Sequence, residues 1–256
     1  MCHGLRLTFI ILSMLAFGCA TADENRKKMD PSEKALLWVQ AAHSSLQGGD
    51  TTGALQALAS AEKEDSDVPE IYLERALVFY KRHDLNRALE NAQKAIHLRK
   101  NFAEAETTYG HLLMEAGRSA EAIIPLNAAA SDTLYREAYK ADTNLGIIYY
   151  RQGKFKEAET HFELAITQEP NLACVAYYYR GHLRLRESKF KEAIQDYDVA
   201  TRKFCSNFTD AYLAIGIAFL DNHQYDLARK KFLEIQEHFP NTPVAEQAMK
   251  QLRSLP

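Results

Sequence analysis

Four cysteines, at positions 2, 19, 174 and 205, are the side chains of this 256-residue chain most able to form covalent bonds. A thiol can be acylated, can join a second thiol in a disulfide, or can act as a nucleophile beside a histidine base. The nine histidines are scattered, and the sequence has no H-E-x-x-H, P-loop, C-x-x-C or G-x-S-x-G motif. The sequence therefore predicts a protein that is not an enzyme and needs no cofactor or metal. An enzyme whose site is assembled across the fold is the alternative.

The N-terminal segment has the pattern of a secretory signal over residues 1–18, with Arg6 before an apolar run and small residues at its end. Cys19 directly follows Gly18, which resembles a bacterial lipobox, where the thiol is diacylated and the cysteine becomes the new N-terminus. An ordinary signal peptide that happens to contain a cysteine is the alternative. Residues 19–30 are polar and lack an apolar period, so we predict a lipidated tether.

The residue after Cys19 indicates where such a lipoprotein would be sorted. In the lipoprotein sorting rule, Asp at this position retains a protein at the inner membrane, whereas this chain has Ala20. The resemblance therefore implies the outer membrane, with the chain facing the periplasm. Contact with the membrane is expected through the acyl chains only, since these anchor a protein by burial of their methylene groups.

The composition indicates a mainly helical fold with a sizeable core. Hydrophobic residues make up 46% of the chain, and there are only 11 Gly and 7 Pro. No apolar run reaches the length of about 20 residues that a membrane-spanning helix needs. The 31 basic and 34 acidic residues nearly balance, so the basic excess typical of a nucleic-acid-binding protein is missing.

Small residues recur along the chain with a period near 34 residues. One position is marked by six alanines, which are 34 to 36 residues apart: Ala54, Ala88, Ala122, Ala158, Ala193 and Ala228. Another small residue lies twelve positions before each of them: Ala42, Ala76, Gly110, Gly146, Gly181 and Gly216. Small side chains at fixed points of a repeat indicate two helices that cross closely.

This pattern resembles the tetratricopeptide repeat, most clearly in the stretch NLGIIYYRQGKFKEAETHFELAITQEPN that begins at Asn144. The resemblance implies an all-α fold, a right-handed solenoid of about six repeats with a C-terminal capping helix that covers the last repeat. The predicted repeat domain covers residues 31–256. Its predicted repeats are 35–68, 69–102, 103–138, 139–173, 174–208 and 209–241, and the capping helix is predicted at 242–254.

Cys174 and Cys205 remain for a structural role if Cys2 leaves with the signal and Cys19 is acylated. In the predicted fold they lie at the start of the first helix and at the end of the second helix of the fifth repeat. These helix ends are neighbours in an antiparallel hairpin, and the periplasm is oxidising, so a disulfide is possible. Two unpaired thiols in apolar packing are the alternative.

The concave face of such a solenoid is expected to bind a partner. In these repeats, four positions of each first helix line that face, and here they are mostly apolar. We expect about half of them to be core and the others to contact an extended or helical protein segment. The predicted groove residues are Leu73, Leu77, Tyr80, His111, Met114, Ile147, Tyr150, Tyr178, His182, Leu185, Leu213, Ile217 and Leu220. Two of them, His111 and His182, are two repeats apart, which is too far to share a metal ion.

The junction between the third and fourth repeats has a sequence that resembles one particular group of tetratricopeptide-repeat proteins. The spacing stretches to 36 residues there, and the chain has D-T-L-Y at 132–135 followed by N-L-G at 144–146. With the lipobox and the six repeats, this junction resembles the type IV pilus pilotins of the PilF, PilW and Tgl group. Those proteins usually have Pro where this chain has Arg136. The alternative interpretation of D-T-L-Y is a helix N-cap followed by packing residues.

The pilotin resemblance implies a lipoprotein that binds the secretin subunit and promotes its outer-membrane localisation and multimerisation. We expect a monomer whose partner is this subunit or another periplasmic protein, and no nucleic acid. The alternative is a different periplasmic tetratricopeptide-repeat adaptor lipoprotein, one that scaffolds cell-envelope proteins or cell-wall enzymes. Repeats supply a binding surface without naming its ligand, so both functions stay open.

Overall fold

The structure, a computed structural model, describes residues 29–256 and forms an array of α-helices with no strand in that range. The all-α prediction is confirmed. The predicted signal segment and Cys19 lie outside the described residues. The helices are α1 (Pro31–Gln47), α2 (Thr51–Glu64), α3 (Pro69–Lys81), α4 (Leu85–Leu98), α5 (Ala103–Glu115), α6 (Ser119–Ser131), α7 (Ala138–Arg151), α8 (Phe155–Gln168), α9 (Cys174–Arg186), α10 (Phe190–Val199), α11 (Thr209–Asp221), α12 (Tyr225–His238) and α13 (Pro243–Ser254), with a 3₁₀ turn at Lys203–Cys205.

Side-chain caps and prolines start several of these helices. The Asp30 carboxylate accepts a hydrogen bond from the backbone N–H of Ser32, and a proline occupies the first turn of α1. Asp50 and Asp84 cap α2 and α4 in the same way, through the N–H groups three residues further on. Thr242 caps α13, which again begins with a proline. Each cap satisfies a backbone donor that the helix itself leaves free.

A three-residue connection joins the two helices of every repeat. Its middle residue has a positive φ, between 58° and 83°, in all six repeats. Glycine occupies this position in three connections and a histidine or serine in the other three: Gly49, His83, Gly117, Gly153, Ser188 and His223. The left-handed conformation reverses the chain at the helix end, so that the second helix packs back against the first.

Within each hairpin, a small residue of the first helix faces a large one of the second helix. A Cβ added to any of four helical glycines would lie 2.3 to 2.5 Å from an atom of the facing side chain. The pairs are Gly110 with Leu126, Gly146 with Phe162, Gly181 with Tyr197, and Gly216 with Phe232. All four large side chains are fully buried, so the two helices approach each other only because the glycines leave room.

Neighbouring hairpins stack in chain order. The first helices α1, α3, α5, α7 and α9 contact one another in sequence, and each second helix contacts the first helix of the next repeat. At the C-terminal end, α13 packs on α11 and α12, where Val244 and Ala248 bury against Phe232 and Ile235. This last helix covers the apolar side of the sixth repeat that would otherwise meet water.

Candidate protein-binding groove

A cavity of about 480 Å³ lies along the first helices of the second to fifth repeats. Helices α3, α5 and α7 form its walls, with the start of α9 and the α6–α7 connection at its sides. The structure brings four of the predicted groove residues together here: Leu77, Tyr80, His111 and Ile147. These four come from three repeats, so stacking of the hairpins creates the cavity, which is of a size typical of ligand sites.

The other nine predicted groove residues do not line this cavity. Leu73, Met114 and Leu213 are buried in the core, and so they cannot contact a partner without rearrangement. Leu73 packs in the core of the first three repeats, Met114 in that of the third to fifth, and Leu213 in that of the sixth repeat and α13. The six remaining side chains are partly buried: Tyr150, Tyr178, His182, Leu185, Ile217 and Leu220.

Two threonines of the cavity wall were missed by the sequence prediction. Thr107 and Thr143 occupy the repeat position that Leu73 holds in the second repeat, and both line the cavity while nearly buried. The sequence prediction includes Leu73, Tyr178 and Leu213 at this repeat position and leaves out the two polar threonines. Counting the repeat register without regard to residue type would have found them.

The D-T-L-Y segment forms part of the cavity wall. Helix α6 ends at Ser131, and the Asp132 carboxylate accepts a hydrogen bond of 2.8 Å from the N–H of Leu134. The side chain of Tyr135 then lines the cavity, whereas that of Leu134 is 89% exposed. The residue that precedes α7 is Glu137, so Asp132 holds a turn and does not act as a helix N-cap. The interpretation as an N-cap is therefore wrong.

Burial shifts the pKa values of several polar groups in the cavity wall. It raises the pKa of Tyr135 to about 12 and also raises the pKa values of Tyr80 and Tyr139, so these hydroxyls stay protonated. Desolvation lowers the pKa of His111, whose Nε2 lies 3.3 Å from the Tyr80 hydroxyl. Desolvation also raises the pKa of Glu104, although this side chain is open to solvent at the cavity edge. The wall is therefore neutral except at its carboxylates and Lys140.

A second group of aromatic rings lies further along the same side of the solenoid, on α9. Tyr178 makes edge-to-face contacts with His182 and Phe208, with ring centroids 4.4 and 5.1 Å apart. The Nδ1 atom of His182 lies 2.9 Å from the hydroxyl of the fully buried Tyr197. Burial lowers the pKa of His182, which favours the neutral ring. Its imidazole therefore serves packing and hydrogen bonding.

In the fifth repeat, Cys174 and Cys205 are joined in a disulfide with their Cα atoms 5.6 Å apart. Helix α10 ends at Val199, and the 3₁₀ turn carries Cys205 back to the start of α9. The sequence had placed this cysteine at the end of the second helix. The helix ends six residues earlier, at Val199, with Ala200 as its C-cap, so a connection and not the helix itself carries the cysteine.

Residues 29–256 contain neither a metal-binding cluster nor a membrane-spanning helix. In this range there is no group of three or more His, Cys, Asp or Glu side chains with the geometry to hold a metal ion. None of the described helices combines the length and apolarity that crossing a bilayer requires. The groove cavity is the feature on which a functional argument can be built.

The chain belongs to the tetratricopeptide-repeat family. Two tetratricopeptide-repeat profiles match it, one at residues 143–172 and the other at 39–105 and 177–245, which together span more than half of the sequence. The prediction of a solenoid of about six repeats is thereby confirmed.

Among proteins of this family, the chain resembles the type IV pilus assembly protein PilF of Pseudomonas aeruginosa (strain PAO1). The two are 27% identical over 235 residues, which cover 91% of this chain and 92% of PilF. The solved structure of Pseudomonas aeruginosa PilF superposes with a TM-score of 0.74 at 22% identity, covering 87% of this chain and all of that one. The predicted resemblance to this group is confirmed.

The fold alone does not single out that group. PilW, a widely conserved type IV pilus biogenesis factor, gives a TM-score of 0.73 at 20% identity, with 84% of this chain and 98% of PilW covered. A chain of the Cut9–Hcn1 assembly from the APC/C gives 0.74 at 17% identity, covering 86% of this chain and 43% of that one. Solenoids with different partners are thus equally similar in shape. The sequence similarity to PilF, which extends along nearly the whole of both chains, therefore says more than the shape does about which tetratricopeptide-repeat proteins this chain resembles.

Proposed function

We propose that this chain is a type IV pilus assembly lipoprotein, a pilotin, that binds the secretin subunit and promotes its multimerisation in the outer membrane. The observation that carries this proposal is the similarity to PilF over 91% of this chain and 92% of the relative. A sequence match over nearly both lengths supports a relation of the whole chain and not of single repeats. The role requires binding without catalysis.

The groove cavity supports this role as the place where a client segment binds. Its walls present Leu77, Tyr80 and Ile147 beside polar groups that fix orientation, and Tyr80 is 37% exposed. A mainly apolar cleft that opens on one side of a solenoid fits an extended or helical segment of another protein.

A deletion strain tests the proposal directly. After membrane fractionation, the secretin is run on a semi-denaturing gel that separates heat-stable multimers from monomers. We expect multimers to be lost, or monomers to accumulate in the inner membrane. Normal multimers in the outer membrane of the deletion strain would refute the pilotin function, and the adaptor alternative would then be pursued by isolating another periplasmic partner.

Substitutions in the cavity wall test whether the cavity is needed for secretin multimers to form. Leu77→Glu places a charge among apolar walls and Tyr80→Ala removes a ring from them, so each should reduce multimer formation at unchanged protein level. Leu164→Glu is the matched control, because this leucine of α8 is 45% exposed and does not line the cavity. Equal multimer yields in all three variants would exclude the cavity as the client site.

Lipid anchorage through Cys19 is part of the proposal and rests on the sequence Gly18-Cys19. We expect Cys19→Ser to abolish incorporation of labelled palmitate and to release the protein from the membrane fraction. Cys2→Ser is the control, since this cysteine belongs to the proposed signal and should leave labelling unchanged. Labelling that survives Cys19→Ser would show that the anchor is elsewhere.

A further inference from the structure

The groove cavity is mainly apolar, but one of its edges is charged. Glu104, in the first turn of α5, lines the cavity. Three other carboxylates stand around it, and each has a partner: Glu70 with Arg99 at 2.6 Å, Glu74 with His43 at 2.9 Å, and Glu137 with Lys140 at 2.7 Å. Within residues 29–256, the Glu104 carboxylate has no hydrogen-bond or ion-pair partner.

The three paired carboxylates influence the pKa of Glu104. Desolvation raises the pKa of Glu104 most, and Glu137, Glu74 and Glu70 raise it further, while Lys140 opposes them. One oxygen of Glu74, Oε2, is buried and has no hydrogen-bond partner. Because Lys140 is already paired with Glu137, Glu104 leaves excess negative charge at this edge of the cavity.

The remaining wall is apolar and curved. Leu77 comes from the second repeat and Ile147 and Leu172 from the fourth, and Tyr139 and Val175 extend the surface they form. A space of about 480 Å³ takes one or two large apolar side chains of a peptide together with part of its backbone. An occupant of this cavity therefore meets an apolar wall and, at its edge, an unpaired carboxylate.

We propose, building on the function proposed above, that the client is a protein segment in which a Lys or Arg side chain pairs with Glu104 while an adjacent large apolar side chain fills the cavity. An acidic segment is repelled by the unpaired Glu104 carboxylate. A purely apolar segment leaves Glu104 partly desolvated and unpaired, which lowers its affinity. The charge at the cavity edge therefore selects among apolar segments.

Peptide selection tests this chemistry without knowledge of the client. A library of random 12-residue peptides displayed on phage is selected on the full-length protein, purified in detergent. The expected peptides carry Lys or Arg within three positions of a large apolar residue. Absence of basic residues from the recovered peptides, or failure to recover any peptide, overturns the inference.

A binding cycle then assigns the basic residue to Glu104. A recovered peptide is labelled with fluorescein, and its Kd is measured by anisotropy for wild type and variants. Glu104→Gln keeps the side-chain size and should weaken binding about fivefold, the range expected for a half-exposed ion pair. In that variant, exchanging the peptide's Lys or Arg for norleucine should not weaken the Kd further. Glu90→Gln is the matched control, because Glu90 is exposed on α4 and does not line the cavity.

The secretin experiment separates this inference from the proposed function. If Glu104→Gln binds the peptide as tightly as wild type does, while the deletion strain lacks multimers, the basic-segment inference is overturned and the pilotin function stands. If the binding cycle assigns the peptide's basic residue to Glu104 while multimers form normally in the deletion strain, the inference stands and the pilotin function falls.

Discussion

Replacement of Gly146 by alanine should destabilise the fourth repeat. A Cβ at this position would lie 2.4, 2.6 and 3.0 Å from the Cε1, Cδ1 and Cζ atoms of Phe162. Carbon atoms pack best at about 3.5 to 4.0 Å, so the ring or the helix would have to move by about 1 Å. The ring is fully buried and stacks on Tyr179 with centroids 5.7 Å apart, and this packing resists the movement.

The size of the effect follows from two opposing contributions. Overpacking of a core typically costs about 1 to 3 kcal/mol, whereas Gly→Ala inside a helix gains about 1 kcal/mol of helix propensity. Because the fully buried ring resists displacement, we expect a cost in the upper part of that range, about 2 to 3 kcal/mol, and therefore a net loss of about 1 to 2 kcal/mol. Gly48→Ala is the control, because the atoms nearest to its added Cβ lie at 3.5 and 3.6 Å and its φ is −72°. That variant should keep or slightly raise the stability.

Urea unfolding followed by far-ultraviolet circular dichroism measures both variants, with the midpoint and the slope compared together because solenoids unfold in parts. A compensating change in Phe162 completes the test. The first repeat has Ala42 and Leu58 at these two positions, so Phe162→Leu should recover at least about 1 kcal/mol in the Gly146→Ala background relative to additivity. Unchanged stability of Gly146→Ala, or strict additivity of the pair, would refute the close-packing argument.

Three further predictions use the same unfolding assay. Cys205→Ser opens a disulfide that spans 31 residues and should cost about 2 to 4 kcal/mol without reductant; an unchanged midpoint would contradict the pairing. Asp196 is 3% exposed and paired with two arginines, so Asp196→Ala should lower the free energy of unfolding by about 3 to 5 kcal/mol, whereas Asp198→Ala, at a half-exposed ion pair, should lower it by less than about 1 kcal/mol; equal losses would contradict this difference. Because burial lowers the pKa of His182, the unfolded chain binds its proton at higher pH, so stability should fall as the pH drops through about 6.5. His182→Gln should reduce the difference in midpoint between pH 7.5 and pH 5.5, and an unaltered difference would argue against a buried neutral ring.

The groove shows which residues of a binding surface can be predicted from the repeat register. The position of Leu77 recurs as His111 and Ile147, and the structure places all three in one cavity. The same reasoning failed for Leu73 and Leu213, which are core, because coverage by the neighbouring first helix depends on how the repeats stack. Register identifies a helix face, and stacking decides which part of that face stays open.

The contributions of Tyr135 and Glu104 to the cavity came only from the structure. Tyr135 belongs to a connection outside the repeat pattern, so no period placed it, although the D-T-L-Y segment had marked the region. Glu104 gains its significance from carboxylates in one other repeat and in a connection, which no local pattern brings together.

The sequence by itself determined the helices, the hairpins and the repeat family. The pairing of a small residue with a large residue sixteen positions later acts within one repeat, and it leaves a mark at fixed spacing in the sequence. The tertiary structure alone decided the cavity and its charged edge. These depend on side chains from different repeats, up to about 100 residues apart in the chain, and their distances are set by the stacking of every hairpin between them.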